Sequence, residues 1–329
     1  MHWPRSSRSS ATGWKRAPRR WRKRAATRRV AWQLAVAGTV TLDDVTTPAG
    51  RRRDQRGGSA VYFALAASRF APVYLAGTVE SGDGAEVRAL LGSLPIDLEG
   101  LESSALPTFR WRAVHDFERW VTADEETEEG AYGAWRPRLS PAAAAAEVLF
   151  VGSMRPGLQL AILGQSQARF IGADSMTVFI GADGDEVRRV AESADILFLN
   201  RAELSALTGA GEDRWQRAAL SLCGRGRLRA VVVKAGPLGA ACVSAGDVLE
   251  MEAHPVRQVV DPTGAGDALA GGFLGACARA ERDDEGFFPE ALGAGIRCAA
   301  DAIGTFGTAG LLSAPAGAQP QQVVRSADQ

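Results

Sequence analysis

From residue 142 onward, short apolar runs alternate with segments of helical composition, and this alternation limits the possible folds more than any other feature. The apolar runs predict strands at residues 148–151, 169–172, 196–199 and 230–234. Strands separated by helices form a parallel sheet that is covered by helices on both faces. Two earlier apolar runs, at residues 32–38 and 73–77, extend the pattern. We therefore predict an α/β fold with a central, mostly parallel sheet and helices on both faces.

Two segments do not fit this alternation. Residues 39–56 are polar and contain Pro48, Gly50 and three consecutive arginines, which is typical of a loop or an exposed hairpin. Residues 106–135 alternate aromatic and charged side chains, and this period of two indicates a meandering antiparallel β-element with one polar face. We expect the two segments to form a small β-lid.

The distribution of charge is uneven along the chain. The 329 residues have a formal net charge of zero, but residues 1–29 contain eleven Arg or Lys and no acidic residue. The remaining 300 residues therefore hold 27 basic and 38 acidic side chains, a net charge of −11. An acidic body is unsuited to binding nucleic acid through a general positive field, so we expect no nucleic-acid partner.

The ends of the chain differ from its body in composition. The basic segment 1–29 lacks apolar periodicity, and we interpret it as a disordered extension, with a transit peptide or a nucleic-acid-binding arm as alternatives. The tail, residues 315–329, is predicted to be disordered, which leaves 30–314 as the folded domain. No apolar run is long enough to span a membrane, and four isolated cysteines fit a cytoplasmic protein with reduced thiols.

The segment from Val259 to Gly275 carries the clearest chemical signal. It reads VVDPTGAGDALAGGFLG, and Gly264, Ala265 and Gly266 precede a helix rich in small residues. Backbone N–H groups at such a helix start can form an anion hole. Asp267 falls in the first helical turn, where a carboxylate can cap the helix or accept a proton from an attacking hydroxyl. Phosphoryl transfer needs both the anion hole and the base.

The string from Asp261 to Asp267 resembles the C-terminal signature of the PfkB, or ribokinase-like, family of carbohydrate kinases, and the resemblance extends over most of residues 30–312. It implies a ribokinase-like fold and an enzyme that transfers the γ-phosphoryl group of ATP to a hydroxyl. It also implies that Asp267 is the general base, that Gly264, Ala265 and Gly266 form the anion hole, and that ATP and Mg²⁺ are required.

The same resemblance assigns substrate-binding residues near the start of the domain. Asp43 follows the first strand and would hydrogen-bond substrate hydroxyls, although an Asx turn is the alternative. Gly57 and Gly58 match the family's di-glycine, where the chain passes from lid to core. Many relatives have an asparagine four residues later, whereas this chain has Tyr62, which either contacts substrate or belongs to the core.

Further matches concern the metal and the nucleotide. Asn200 and Glu203 resemble the family's Asn-x-x-Glu motif, which would hold Mg²⁺ through water, whereas helix capping is the alternative. The nucleotide-binding residues implied by the resemblance are Lys234, Gly236, Gly239, Thr263, Gly264, Gly266 and Gly304. For Lys234, a lysine at the surface end of a strand is an equally acceptable reading.

The acceptor of the phosphoryl group is less determined by these motifs. Resemblance to bacterial members labelled sugar kinase or adenosine kinase-like favours a free sugar or a nucleoside. A phosphosugar would need basic lid residues, and Arg110, Arg112 and Arg119 are available. A catalytically idle, ligand-sensing relative is a further alternative. The sequence does not decide whether the chain forms a homodimer through the lid.

Overall fold

The computed structural model describes residues 33–118 and 121–314. The strands are β1 (Leu34–Ala37), β2 (Thr41–Thr47), β3 (Gly50–Gly57), β4 (Val73–Glu80), β5 (Ile96–Asp97), β6 (Leu101–Ser104), β7 (Phe109–Asp116), β8 (Val121–Glu128), β9 (Val148–Val151), β10 (Phe170–Asp174), β11 (Ile196–Asn200), β12 (Ala230–Lys234), β13 (Ala240–Ser244) and β14 (Val248–Met251). The helices are α1 (Ser59–Ala67), α2 (Ser81–Leu91), α3 (Gly130–Ala134), α4 (Pro141–Ala144), α5 (Pro156–Leu163), α6 (Thr177–Ser193), α7 (Arg201–Thr208), α8 (Trp215–Leu222), α9 (Ala265–Ala280), α10 (Phe288–Ile303) and α11 (Ala309–Ser313).

A ten-stranded sheet forms the centre of the domain. Its order is β14-β13-β12-β11-β10-β9-β1-β4-β5, with β6 also paired to β4. Each neighbouring pair from β12 to β5 in this order is parallel, and so is the pair of β4 and β6. At the other edge, the pairs β12–β13 and β13–β14 are antiparallel. This arrangement confirms the predicted α/β fold class.

The central strands bury side chains on both faces, with the alternation that a strand imposes. In β9, Val148 and Phe150 point to a core shared with α1, α9 and α10, whereas Leu149 and Val151 point to a core shared with α3 to α8. Both faces are therefore covered by helices, and the carboxyl ends of the strands remain available for a site.

A second sheet of four strands, β3-β2-β7-β8, lies apart from the first and is called the lid sheet below. It is built from the two segments that did not fit the strand–helix alternation. The β2–β3 and β7–β8 pairs are antiparallel, but β2 and β7 are parallel. The sheet is therefore mixed rather than a simple antiparallel meander, because the chain passes through β3 to β6 before it returns to β7.

Several elements differ from the sequence-based expectations. Strands β5 and β6 and helices α3, α4 and α11, each at most five residues long, were not predicted. The predicted extensions at residues 1–29 and 315–329 lie outside the described residues. Within the described ranges, no helix is both long enough and apolar enough to cross a membrane.

Candidate active site

A cavity of about 580 Å³ separates the lid sheet from the central domain. The lid sheet lines it with residues of β2, β7 and β8. The central domain lines it with the start of α1, the start of α6, and Pro262, Thr263, Gly264 and Asp267. Asp43 and Asp267, the two carboxylates that the sequence singled out, both line this cavity. Residues 224 positions apart in the chain therefore face the same space.

Asp43 is buried at the cavity wall and is 2% exposed. Its Oδ1 atom accepts a hydrogen bond of 2.6 Å from Oγ1 of Thr41 on the same strand. Burial raises the pKa of Asp43 to about 7, with further increases from Asp261 and Asp44, and the Thr41 hydrogen bond opposes the shift only in part. The carboxyl group is therefore harder to ionise than a solvent-exposed aspartate.

Asp267 lies in the first turn of α9 and lines the cavity from the opposite side. Burial raises its pKa to about 7, and the nearby carboxylate of Asp174 adds to the shift, while the ammonium group of Lys234 opposes it. A carboxylate with a pKa near the working pH is suited to general base catalysis.

Tyr62 lies between the two halves of the site. Its ring would be 2.2 Å from a Cβ added at Gly264 and 3.2 Å from one added at Gly57. Tyr62 is 1% exposed, and its hydroxyl has no hydrogen-bond partner among the described residues. Tyr62 therefore belongs to the core cluster and also lines the cavity, and its contact with substrate stays a prediction.

The two positions of the predicted di-glycine require glycine for different reasons. At Gly57, a Cβ would lie 2.0 Å from Oδ2 of Asp43, so the absence of a side chain makes room for the carboxylate. Gly58 has φ of 96° and a Cβ there would lie 2.4 Å from the carbonyl oxygen of Thr39. Gly58 lines the cavity and is the N-cap of α1.

Helix α9 begins without a side-chain cap. Gly264 is its N-cap in the left-handed conformation, with φ of 75°, and no side chain caps the helix among the described residues. The Ala265 amide donates to the carbonyl of Pro262 at 3.2 Å. The remaining first-turn amides lack intrahelical acceptors, as at every helix start, and Gly266 is among them.

Lys234 forms a buried ion cluster beside this helix start. Its Nζ atom lies 3.1 Å and 3.0 Å from the two carboxylate oxygens of Asp174, and 3.7 Å from Oε2 of Glu203. A Cβ added at Gly266 would lie 3.3 Å from the same Nζ atom. Burial opposes the charge on Lys234, but Asp174 and Glu203 outweigh it and raise its pKa, so the side chain is a partly buried ammonium group paired with carboxylates.

Asn200 and Glu203 form a capping box at the start of α7. The Glu203 amide donates to Oδ1 of Asn200 at 2.8 Å, and the Asn200 amide donates to Oε2 of Glu203 at 2.7 Å. The capping alternative is therefore present in the structure. Oε2 of Glu203, which accepts in the cap, also lies 3.7 Å from Nζ of Lys234, so the capping residue belongs to the ion cluster as well.

The carboxylates fit a hydrated metal ion better than a metal held by protein alone. Asp174 and Glu203 lie within 4 Å of the ammonium group of Lys234, and Asp267 also interacts with it electrostatically, so carboxyl groups outnumber the ammonium group here. Within the described residues, however, no three His, Cys, Asp or Glu side chains come together closely enough to hold a metal ion. The donor set is what Mg²⁺ accepts when it retains water and phosphate ligands.

The glycines predicted to bind the nucleotide differ in the space that surrounds them. A Cβ added at Gly236 would have nothing within 4 Å, whereas a Cβ at Gly239 would lie 2.1 Å from the carbonyl oxygen of Met251. Gly239 is thus required by the packing of β14. Gly304 ends α10 next to Ile303, whose carbonyl accepts from the amide of Asp261 at 3.3 Å. These residues do not line the 580 Å³ cavity.

The cavity itself is aromatic and acidic. Phe109 and Trp111 line it from alternate positions of β7, and its charged lining also includes Glu125 and Glu129 of the lid segment. No Lys or Arg of the described residues lines it. The basic lid residues considered for a phosphosugar lie elsewhere: Arg110 pairs with Asp44 and Asp54, and Arg112 pairs with Asp44, Glu126 and Glu128. Arg119 lies outside the described residues.

Three residues at the site were missed in the sequence. Asp174 ends β10, and an acidic residue at the end of a buried parallel strand was a signal that could have found it. His115 and Ser153 also line the cavity, but neither has a distinctive sequence context. The hydroxyl of Ser153 has no partner among the described residues.

Comparisons with known proteins agree with this architecture. A model of the pfkB family carbohydrate kinases matches residues 35–315. A cytidine kinase of Thermococcus kodakarensis is 28% identical over 252 residues, which cover 75% of this chain and 88% of that protein.

Two solved structures have a similar fold. Ribokinase from Cryptococcus neoformans in complex with ADP superposes with a TM-score of 0.69 at 21% identity, covering 84% of this chain and 95% of that one. Aminoimidazole riboside kinase from Salmonella enterica, complexed with aminoimidazole riboside and an ATP analogue, has a TM-score of 0.67 at 22% identity, covering 84% and 94%.

Proposed function

This chain belongs to the pfkB family of carbohydrate kinases, and on that premise we propose that it transfers the γ-phosphoryl group of ATP to a hydroxyl of a neutral sugar or nucleoside, with Asp267 as the general base. Membership makes the chain a phosphotransferase that acts on hydroxyl groups. The identity of the acceptor and the roles of individual residues are the substance of the proposal.

One observation carries the proposal. Asp43 and Asp267 line the same cavity, and Asp267 belongs to a helix start that no side chain caps among the described residues. The cavity thus offers a carboxyl group to hold an acceptor, a second carboxyl group to take its proton, and amides to face a phosphoryl group.

The proposed chemistry follows from these three parts. Asp43 holds acceptor hydroxyls, and Asp267 removes the proton of the hydroxyl that attacks the γ-phosphorus. The bond from that phosphorus to the β,γ-bridging oxygen breaks, and ADP leaves. Amides at Gly264, Gly266 and Asp267 face the oxygens of the moving phosphoryl group, where charge accumulates. Because the Ala265 amide already donates to Pro262, Ala265 contributes by holding the turn.

The nucleotide is proposed to bind on the Lys234 side of Asp267. Lys234, Gly236, Gly239, Thr263 and Gly304 border this region in our proposal, and the closeness of Lys234 to Gly266 supports it. Mg²⁺ would be held by Asn200 and Glu203 through water and would neutralise phosphate charge when bound.

The lining of the cavity favours an uncharged acceptor. Its acidic side chains, without a Lys or Arg among the described residues, would repel the phosphate of a phosphosugar. The aromatic rings of Phe109 and Trp111 offer an apolar surface of the kind that stacks on a nucleobase or on a sugar face. A neutral nucleoside or free sugar is therefore preferred over a phosphosugar.

Phosphorylation assays with ATP and Mg²⁺ over nucleosides, pentoses, hexoses and phosphosugars test the proposal. We expect turnover with at least one neutral acceptor, and a loss of about 10²- to 10⁴-fold in kcat for Asp267→Asn without loss of folding. Wild-type rates in Asp267→Asn would eliminate the base assignment. Ligand binding without turnover in the wild-type protein would instead favour the idle, ligand-sensing alternative.

A further inference from the structure

His115 joins the lid sheet to the loop that precedes α9. It is the penultimate residue of β7, and its Nε2 atom lies 3.2 Å from Oγ1 of Thr263. Thr263 directly precedes Gly264 and lies four residues before Asp267. A side chain from the sheet that covers the cavity therefore contacts the loop that carries the proposed base.

The imidazole ring of His115 is held on its other sides by lid residues. Its Nδ1 atom lies 3.4 Å from Oγ1 of Thr122 on β8. The ring packs at 5.9 Å and 52° against the indole of Trp111, whose Nε1 atom donates to Glu125 at 2.6 Å. The orientation of the ring is thus fixed by both β7 and β8.

The Thr263 end of the contact is equally well defined. The Thr263 amide donates to Oδ1 of Asp261 at 2.9 Å, and Oδ2 of Asp261 accepts from the amide of Gly307 at 3.2 Å. Asp261 is 1% exposed. Asp261 therefore anchors the backbone of the loop from the central domain. The lid sheet contacts the loop at two places: Oγ1 of Thr47 on β2 donates to the carbonyl of Val260 at 2.8 Å, and His115 contacts the Thr263 side chain.

We propose that His115 is a positioning residue: by its hydrogen bond to Thr263 it fixes the loop, and with it Asp267, in the geometry of phosphoryl transfer when the lid sheet covers the cavity. A small displacement of a reacting group can lower a rate by about 10²-fold, so one hydrogen bond at this place has a large effect. His115 acts through Thr263 and takes no proton itself. The kinetic test rests on the function proposed above, whereas the structural test does not.

Four variants separate this role from simple packing. His115→Phe keeps a ring but loses both hydrogen bonds, and Thr263→Val keeps the shape of the side chain but loses the hydroxyl. We expect each to lower kcat by about 10- to 100-fold with little change in the KM of the acceptor. The double variant should be no slower than the slower single variant, because both remove the same contact. His115→Gln, whose amide can reach the position of Nε2, should restore most of the rate.

Hydrogen exchange of the full chain gives a readout that needs no turnover. Amides of residues 259–266 should exchange about tenfold faster in His115→Phe than in the wild-type protein. Val114→Ala is the matched control, because Val114 is the neighbouring residue of β7, is 40% exposed and does not line the cavity.

The possible outcomes decide between the claims. Multiplicative effects of the two single variants on kcat, or unchanged exchange in His115→Phe, would overturn the positioning role. If the wild-type protein phosphorylates no acceptor, the proposed function fails, and the exchange comparison alone then decides whether His115 holds the loop.

Discussion

At the scale of single residues, the site contains carboxyl and hydroxyl groups that are buried although burial is unfavourable for such groups. Burial raises the pKa of both Asp43 and Asp267 to about 7, although their roles in the proposal differ. Tyr62 has a buried hydroxyl without a partner among the described residues. Such groups cost stability, and this cost is expected where a ligand completes the missing interactions.

The pH dependence of catalysis should report the ionisation of Asp267. Because only the carboxylate can accept a proton, kcat/KM should rise with pH, through an apparent pKa of about 7, and then level off. The measurement is kcat/KM between about pH 5 and pH 9. Asp43 titrates in the same range, so the apparent pKa belongs to both groups. A flat profile in the wild-type protein would contradict the prediction.

The same pKa shift predicts how stability changes with pH. Asp267 has a higher pKa in the folded than in the unfolded chain, so the folded state binds more protons between about pH 4 and pH 7. The free energy of unfolding therefore decreases as the pH rises through that window. We expect Asp267→Asn to have a higher Tm than the wild-type protein at about pH 8 and a smaller advantage near pH 4. A lower Tm at the higher pH would show that the carboxylate stabilises the fold.

Tyr62 can be tested by removing its hydroxyl alone. Tyr62→Phe keeps the ring against Gly264 and removes an unpaired buried hydroxyl, so the free energy of unfolding should stay the same or rise by up to about 1 kcal/mol. Tyr62→Ala removes the ring and should cost about 3 to 5 kcal/mol. Denaturant unfolding measures both. A large loss in Tyr62→Phe would mean that the hydroxyl has a structural partner.

At the scale of elements, the first turn of helix α9 lies at the cavity, whereas a later part of the same helix packs in the core. Its first turn carries Gly264 and Asp267 at the cavity, whereas Gly271 allows α1 to approach closely. A Cβ at Gly271 would lie 2.5 Å from the carbonyl oxygen of Phe63. The close approach of α1 also places Tyr62 under Gly264. The small residues of α9 therefore determine the position of the site through packing.

Gly264→Ala should disrupt this arrangement for two reasons. The residue has φ of 75°, and its new methyl group would lie 2.2 Å from the Tyr62 ring. We expect a loss of stability of about 2 to 4 kcal/mol, and a fall in kcat of at least about 100-fold in the folded fraction. Thermal unfolding and steady-state kinetics measure these effects. Gly246→Ala is the matched control, because a Cβ at Gly246 would have nothing within 4 Å and its φ is not positive, so this variant should behave as the wild-type protein.

At the scale of the whole molecule, the site exists because two sheets face one another. Asp43 comes from the lid sheet and Asp267 from the central domain, and the cavity between them collects acidic and aromatic side chains. The chain beyond residue 29 has a net charge of −11, which adds to the local negative charge. The electrostatic environment therefore disfavours anionic acceptors at both scales.

Ligand-induced stabilisation tests this selectivity without an activity assay. A neutral acceptor at about 100 times its Kd should add about 2.7 kcal/mol to the free energy of unfolding, which corresponds to an increase in Tm of about 5 °C. The corresponding phosphosugar at the same concentration should produce no shift. A larger shift with the phosphorylated compound would show that basic groups reach the cavity.

The fold class, the family and several residues that line the cavity could be predicted from the sequence. The alternation of strands and helices can be recognised from local apolar patterns. The Gly-Ala-Gly-Asp loop can be recognised from a short string of residue types that few other backbone conformations require. The loop pointed to Asp267, and the resemblance to the family pointed to Asp43 and Tyr62.

The packing of distant elements established which of these side chains share the cavity and which contact one another. Lys234 was predicted at a phosphate, and its contacts with Asp174 and Glu203 depend on three elements that are far apart in sequence. His115 meets Thr263 across 148 residues, a contact that no local pattern records. Pairing of this kind is set by the register and packing of distant elements, which local sequence preferences do not specify.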